Sequence, residues 1–195
     1  MLAYVFWHWK KPEIPIEEYE RRQRAFHAAL AASPPAGFVR SYSASVEGLP
    51  WTGAQTAYGV LAERVCAYED WYLVEDFGAL GFLNEGAVSG SRLKPHDAAA
   101  AAAEDGAAAI YALRQGDAAS QRKYALWLSK PGGMSYAECY GHLEPVIASA
   151  GGALWVRQMA LGPAWELCVL VGGPLSLPPV FDVIKKPLRQ VWPLP

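Results

Sequence analysis

Two stretches of this chain, about 120 residues apart, repeat each other in order, and that restricts the folds open to it. Tyr4-Val-Phe-Trp-His-Trp-Lys-Lys-Pro12 runs parallel to Tyr124-Ala-Leu-Trp-Leu-Ser-Lys-Pro131, which is one residue shorter. A histidine follows in each stretch, in Phe26-His27 and in Gly141-His142, and then a Val-Arg pair, Val39-Arg40 and Val156-Arg157. Each stretch ends on Leu-Arg-Gln, at Leu113 to Gln115 and at Leu188 to Gln190. The second copy is trimmed: Pro131 to His142 spans 11 positions, against 15 from Pro12 to His27. We therefore expect a duplicated unit, residues 1–118 and 119–195.

The unit itself is legible in the first copy. Large apolar residues alternate over 2–10 and stop at Lys10-Lys11-Pro12, as a strand does. Pro15 then opens a helix with Glu17 and Glu18 in its electropositive first turn. Glu17/Arg21, Glu18/Arg22 and Glu20/Arg24 are spaced for i,i+4 pairs. Ile16, Tyr19, Gln23, Phe26 and Leu30 form the stripe to be buried. Strands are predicted over 38–46, within 58–75 and over 107–115, with a helix over 77–87 capped by Asp76. Residues 98–103 are a helical turn or a loop, and a brief second helix is expected around 179–185. The order β-α-β-β-α-β is the ferredoxin-like unit. Helices on one face of such a sheet leave the other bare and apolar, and two bare faces bury each other. The predicted fold is α+β: two ferredoxin-like repeats whose antiparallel sheets pack as a dimeric-type α/β barrel within one chain.

With 195 residues, such a fold buries roughly 70% of the unfolded surface. Fifty-two per cent apolar and 18% charged residues fit a globular chain. A net charge of −2 offers no footprint for nucleic acid or an anionic membrane, and neither partner is expected. Cys66, Cys139 and Cys168 form no C-x-x-C pair, so no disulfide framework or zinc site is predicted. The amino terminus lacks a basic leader, and no apolar run is long enough to span a bilayer. A soluble, cytoplasmic protein is expected, either a monomeric pseudo-dimer or a homodimer.

The strand ending in Lys10-Lys11-Pro12, then Glu17-Glu18-Tyr19 and His27 eight residues on, resembles the EthD-like family of the dimeric α/β-barrel superfamily. The match covers about 30 residues of helix and turn, and the barrel resemblance nearly the whole chain. It departs at Ala29, where the family has a proline soon after the histidine, although Pro145 follows His142. The superfamily includes cofactor-free monooxygenases, lactone isomerases and haem-binding enzymes, so the resemblance implies a fold and leaves the activity open.

His27 is the residue that the family comparison singles out, and an imidazole there could act as a base near neutral pH. Its bland alternative is a helix histidine bonded to a neighbour. His8 shares a strand face with Tyr4 and Phe6, while Ala3, Val5, Trp7 and Trp9 take the other. If the His8 face looks into the barrel, His8 is the candidate general base. Its repeat partner is Leu128, an asymmetry that suits a single functional pocket. Arg40 and Arg157 could grip an anionic group or tie the two halves together. Asp70 and Tyr72 point one way on their strand and Trp71 the other, and an aromatic lumen would take a flat hydrophobic ligand. The catalytic candidates are thus His8 and His27, and the binding candidates Tyr4, Phe6, Arg40, Trp71 and Tyr72. No metal ligand set or phosphate loop is present in the sequence. No cofactor is required, with haem on His96 of His96-Asp97 as the alternative. Three readings follow: a cofactor-free enzyme of monooxygenase, isomerase or cyclase type acting on a hydrophobic aromatic molecule, a non-catalytic accessory protein with a filled barrel, or a haem protein.

Overall fold

Alternation over the first ten residues produces β1 (Leu2–Lys10), which is followed by α1 (Ile16–Ala32), β2 (Phe38–Glu47), β3 (Cys66–Val74) and α2 (Phe77–Ala87). A single 3-10 turn leads into α3 (Leu93–Ala100) and β4 (Ala103–Gln115). The remaining elements are β5 (Tyr124–Leu128), α4 (Tyr136–Ser149), β6 (Ala153–Ala160), β7 (Leu167–Val171), β8 (Val183–Pro187) and β9 (Arg189–Trp192). The structure is a computed structural model that describes residues 1–51, 66–119, 122–160 and 164–193. The third strand is expected within 58–75, and of that window residues 58–65 lie outside the described residues.

The strands form one antiparallel sheet in the order β8-β5-β7-β6-β4-β1-β3-β2-β9. Its first half runs β4-β1-β3-β2 and its second β8-β5-β7-β6, the same order of first-to-fourth strands. β4 pairs with β6 where the halves join, and β8 comes round against β2 at the opposite seam. β9 adds a strand outside β2, so β2 is not an open edge.

The two sheet faces bury different chemistry. Ala3, Val5 and Trp7 of β1 face the barrel interior, which Trp71, Tyr111, Trp127 and Trp155 fill from the other strands. Trp7 and Trp127 meet edge to face with centroids 5.4 Å apart, as do Trp71 and Trp155. Of the two interiors the sequence left open, a lumen for a flat ligand and a filled barrel, the described residues form the filled one, with aromatic packing in that space. Leu2, Tyr4 and Phe6 face the helices, against Phe26, Leu30 and Leu83. The face bearing His8 is therefore under the helices and not in the barrel.

Several local expectations change. Ile16 is exposed, while His27 joins Tyr19, Gln23, Phe26 and Leu30 on the buried face of α1. Arg21 turns back to Glu18 and not to Glu17, leaving Glu18 between Arg21 and Arg22. Asp76 does cap α2, accepting from the Ala79 amide at 2.9 Å. Residues 179–185 form no helix: a turn there runs straight into β8. No helix among the described residues is long and apolar enough to cross a membrane.

Candidate functional site

Between the outer face of the first half-sheet and helices α1 to α3 lies a cavity of about 710 Å³. Small side chains open it. Ala99, Ala100 and Ala103 stand where larger residues would fill the gap, and Ala87 of α2 does the same from another side. Tyr4 and Phe6 of β1 form its floor with Tyr72 of β3, and Phe26 closes one wall. Phe6 lies flat against Gly106: a β-carbon on that glycine would sit 2.5 Å from the ring and 2.7 Å from the Trp7 carbonyl oxygen. Asn84, Val88, Glu104 and Asp105 are exposed and mark the mouth.

The polar centre of this cavity is Asp70, 1% exposed. Its Oδ2 lies 3.0 Å from His8 Nε2 and 3.2 Å from His27 Nε2, and accepts a hydrogen bond from Tyr72 Oη at 2.9 Å. Neither imidazole contact is a well-directed hydrogen bond, so both act chiefly through charge and proximity. The far nitrogens are tied as well: His8 Nδ1 is 2.5 Å from Tyr19 Oη, and His27 Nδ1 is 2.8 Å from Ser41 Oγ. Flat rings hold both imidazoles. His8 stacks on Tyr68 at 5.7 Å, and His27 lies parallel to Tyr72 at 5.3 Å and to Trp192 at 6.3 Å. The other carboxylate oxygen, Oδ1, has no hydrogen-bond partner among the described residues.

Burial alone would push the Asp70 carboxyl up, but the His8 and His27 imidazoles close against it outweigh that and hold the group well below the usual carboxylate range. Tyr72 is driven well above the ordinary phenol range by burial and by the adjacent Asp70 charge, so it remains a donor. Burial also raises Tyr4. The site is a fixed anion with one occupied and one unpartnered oxygen, set among the aromatic residues of the cavity floor.

Of the sequence-nominated residues, Tyr4, Phe6, His8 and Tyr72 line this cavity, and His27 stands behind it against Asp70. Trp71 does not: it points into the barrel and donates through Nε1 to Glu69 at 3.0 Å. Arg40 is exposed and bonds Tyr42 Oη at 3.3 Å, away from the cavity, while Arg157 bonds the Ala164 carbonyl. Neither arginine pairs with a carboxylate among the described residues. Asp70, Tyr19 and Ser41 escaped nomination as site residues, and His96, considered only as a haem ligand, lines the cavity. The usable signal was Asp70 itself, an acid on the strand face that also carries Tyr68 and Tyr72.

Among the described residues the second half carries no such cluster. Its counterpart of His8 is Leu128, and the pairing of Leu126 with Val169, where Phe6 pairs with Asp70, makes Val169 the counterpart of Asp70. These residues pack with Leu143, Ile147 and Leu167 as an apolar layer, while His142 is exposed beside Phe181.

Haem does not suit the cavity. His96 lines it with Nδ1 3.1 Å from Asp97, which would leave Nε2 for an iron. Two propionates, however, need cationic partners, and no lysine or arginine lines the cavity, whereas Glu104 and Asp105 stand at its mouth. No group of three histidine, cysteine or acidic side chains among the described residues is arranged to hold a metal ion.

No family model matches the chain, and no curated protein matches it. Among solved structures, an anthrone oxidase-like protein is similar over 97% of this chain and 90% of its own, at 7% identity and a TM-score of 0.50. A candidate monooxygenase from Lactobacillus acidophilus NCFM matches over 97% and 94%, at 10% identity and a TM-score of 0.49. A candidate chlorite dismutase matches over 98% and 96%, at 9% and 0.48. Likeness at such identities speaks to fold alone: this is an α+β chain with the antiparallel sheet of the dimeric α+β barrels.

Proposed function

We propose that the cavity beneath α1 to α3 binds a small flat aromatic molecule, with Asp70 as its anchor. One observation carries this reading: a buried carboxylate, held ionised and with a free oxygen, lines an aromatic cavity of about 710 Å³. A ligand O–H or N–H donating to Oδ1 would complete the carboxylate's hydrogen bonding. The chemistry that such a set supports is cofactor-free proton transfer. A carboxylate held this low is a weak base, so in this reading Asp70 holds and orients the ligand's donor, and the proton passes to His8, which also lines the cavity and accepts it only as the uncharged imidazole.

The resemblance to the EthD-like family enters through His27, and the halves 1–118 and 119–195 read as copies of one unit, of which only the first kept a site. The filled barrel interior favours a second reading, a non-catalytic binding protein using the same cavity. Native mass spectrometry of freshly purified protein against the denatured sample tests ligand binding. A retained small-molecule mass that Ala87→Phe abolishes supports the reading. Retention unaffected by Ala87→Phe would move the ligand elsewhere.

A further inference from the structure

We infer that the ligand of this cavity is an aromatic amine bound as its cation, and that aromatic carboxylates are excluded. The inference rests on the cavity being the ligand site and adds the sign of the ligand's charge. Three carboxylates border the space, Asp70 inside and Glu104 and Asp105 at the mouth, and no lysine or arginine lines it. The histidines are directed elsewhere: His8 and His27 approach Oδ2 through Nε2 and engage Tyr19 and Ser41 through Nδ1, His96 engages Asp97, and Oδ1 is left buried without a hydrogen-bond partner among the described residues. An ammonium N–H satisfies that oxygen with a charge-assisted hydrogen bond. A carboxylate placed there would leave two anions facing each other at a buried residue. The walls agree with a cation. Tyr4 and Phe6 lie parallel within 9° at 6.3 Å, and Tyr4 is 6.1 Å from Tyr72, giving adjacent π-faces about the carboxylate.

The test uses three probes that share one ring system: 1-naphthylmethylamine, 1-naphthylmethanol and 1-naphthoate. Titration calorimetry at pH 7 and low salt on the full chain reads their affinities. The expected order is amine, then alcohol, then carboxylate, with the amine about ten-fold or more tighter than the carboxylate. Asp70→Asn should erase most of that preference. Because Asp70 is buried in a network, the exposed pair Glu104→Gln/Asp105→Asn gives an independent readout, and it should narrow the gap through weaker attraction at the mouth. Equal binding of all three probes, or tighter binding of the carboxylate, overturns the charge assignment and leaves the aromatic-ligand reading standing. Binding by none of the three overturns both.

Discussion

Glu69 and Asp70 are neighbours on β3, yet their carboxyl groups stand on opposite faces of the sheet in opposite electrostatic settings. Asp70 faces the cavity, with two imidazoles against one oxygen. Glu69 faces the tryptophan-filled barrel, where Trp71 donates to it and its second oxygen has no partner among the described residues. Burial pushes Glu69 up to about 7, only partly opposed by Trp71, Trp7 and Arg122. One peptide unit thus separates an acid kept charged from an acid whose ionisation is put off to about pH 7.

The two acids give stability opposite slopes with pH. Asp70, with a folded-state pKa below its ordinary 3.8, contributes stability that is present above that value and lost as pH falls beneath it. Glu69 is raised from 4.5, so its contribution is fully present below that pH and lost as pH rises through about 7. The loss amounts to about 3 kcal/mol. Urea unfolding at pH 5 and pH 8 should show the wild type weaker at pH 8, and Glu69→Gln should remove most of that difference. An unchanged slope in the variant would show that Glu69 titrates normally.

His8 and His27 should be energetically coupled although they lie on different elements, because both press on the same Asp70 oxygen. His8→Asn and His27→Asn are each expected to destabilise by about 2–4 kcal/mol, since each leaves the buried carboxylate under-compensated. The double variant should depart from the sum by about 1 kcal/mol or more. Strict additivity in a denaturant double-mutant cycle would rule out a shared network.

Gly106 is the position at which backbone and ligand site meet. Its Cβ would collide with Phe6 and with the Trp7 carbonyl, and the latter is backbone that cannot swing away. Gly106→Ala should cost about 1–3 kcal/mol by overpacking. It should also weaken binding of a naphthalene probe, because Phe6 moves into the cavity. Full stability with unchanged affinity would show that the strands separate there without strain.

Trp127 tests the separation of barrel and cavity. It is fully buried among Trp7, Trp51, Trp71 and Tyr111, on the face away from the ligand site. Trp127→Ala should lower stability by about 3–5 kcal/mol. Probe affinity, measured well below the variant's melting temperature, should stay within about two-fold. A large loss of affinity would mean that the barrel interior takes part in binding.

The fold was readable because period-two alternation in 2–10 and the helical stripe from Tyr19 to Leu30 each declare a buried face. Which sheet face held the site was not readable. Both faces of β1 are apolar with aromatic residues, so alternation separates His8 from Trp7 without saying which one meets helices. The cavity was hidden for a related reason. It exists because Ala99, Ala100 and Ala103 are too small to fill a gap between layers, and a gap is set by packing distance. His27 could be nominated from the helix pattern, but its contact with Asp70 joins residues 43 positions apart, through a strand order that periodicity leaves open. The expected second helix near 179–185 failed because Pro178 and Pro179 lead a turn directly into β8.

The seam between β4 and β6 has a thermodynamic consequence. When two separate polypeptides close a barrel, closure is bimolecular, and dilution opens it. Here both edges of the seam belong to one covalent chain, so the effective concentration of each half for the other is fixed by the connection. The tryptophan packing at the centre is therefore indifferent to how much protein is present. Among the described residues the first half carries the cavity and the second an apolar layer in its place, so occupancy of the proposed site should follow a simple single-site isotherm, with none of the cooperativity that two equivalent sites sharing a barrel can show.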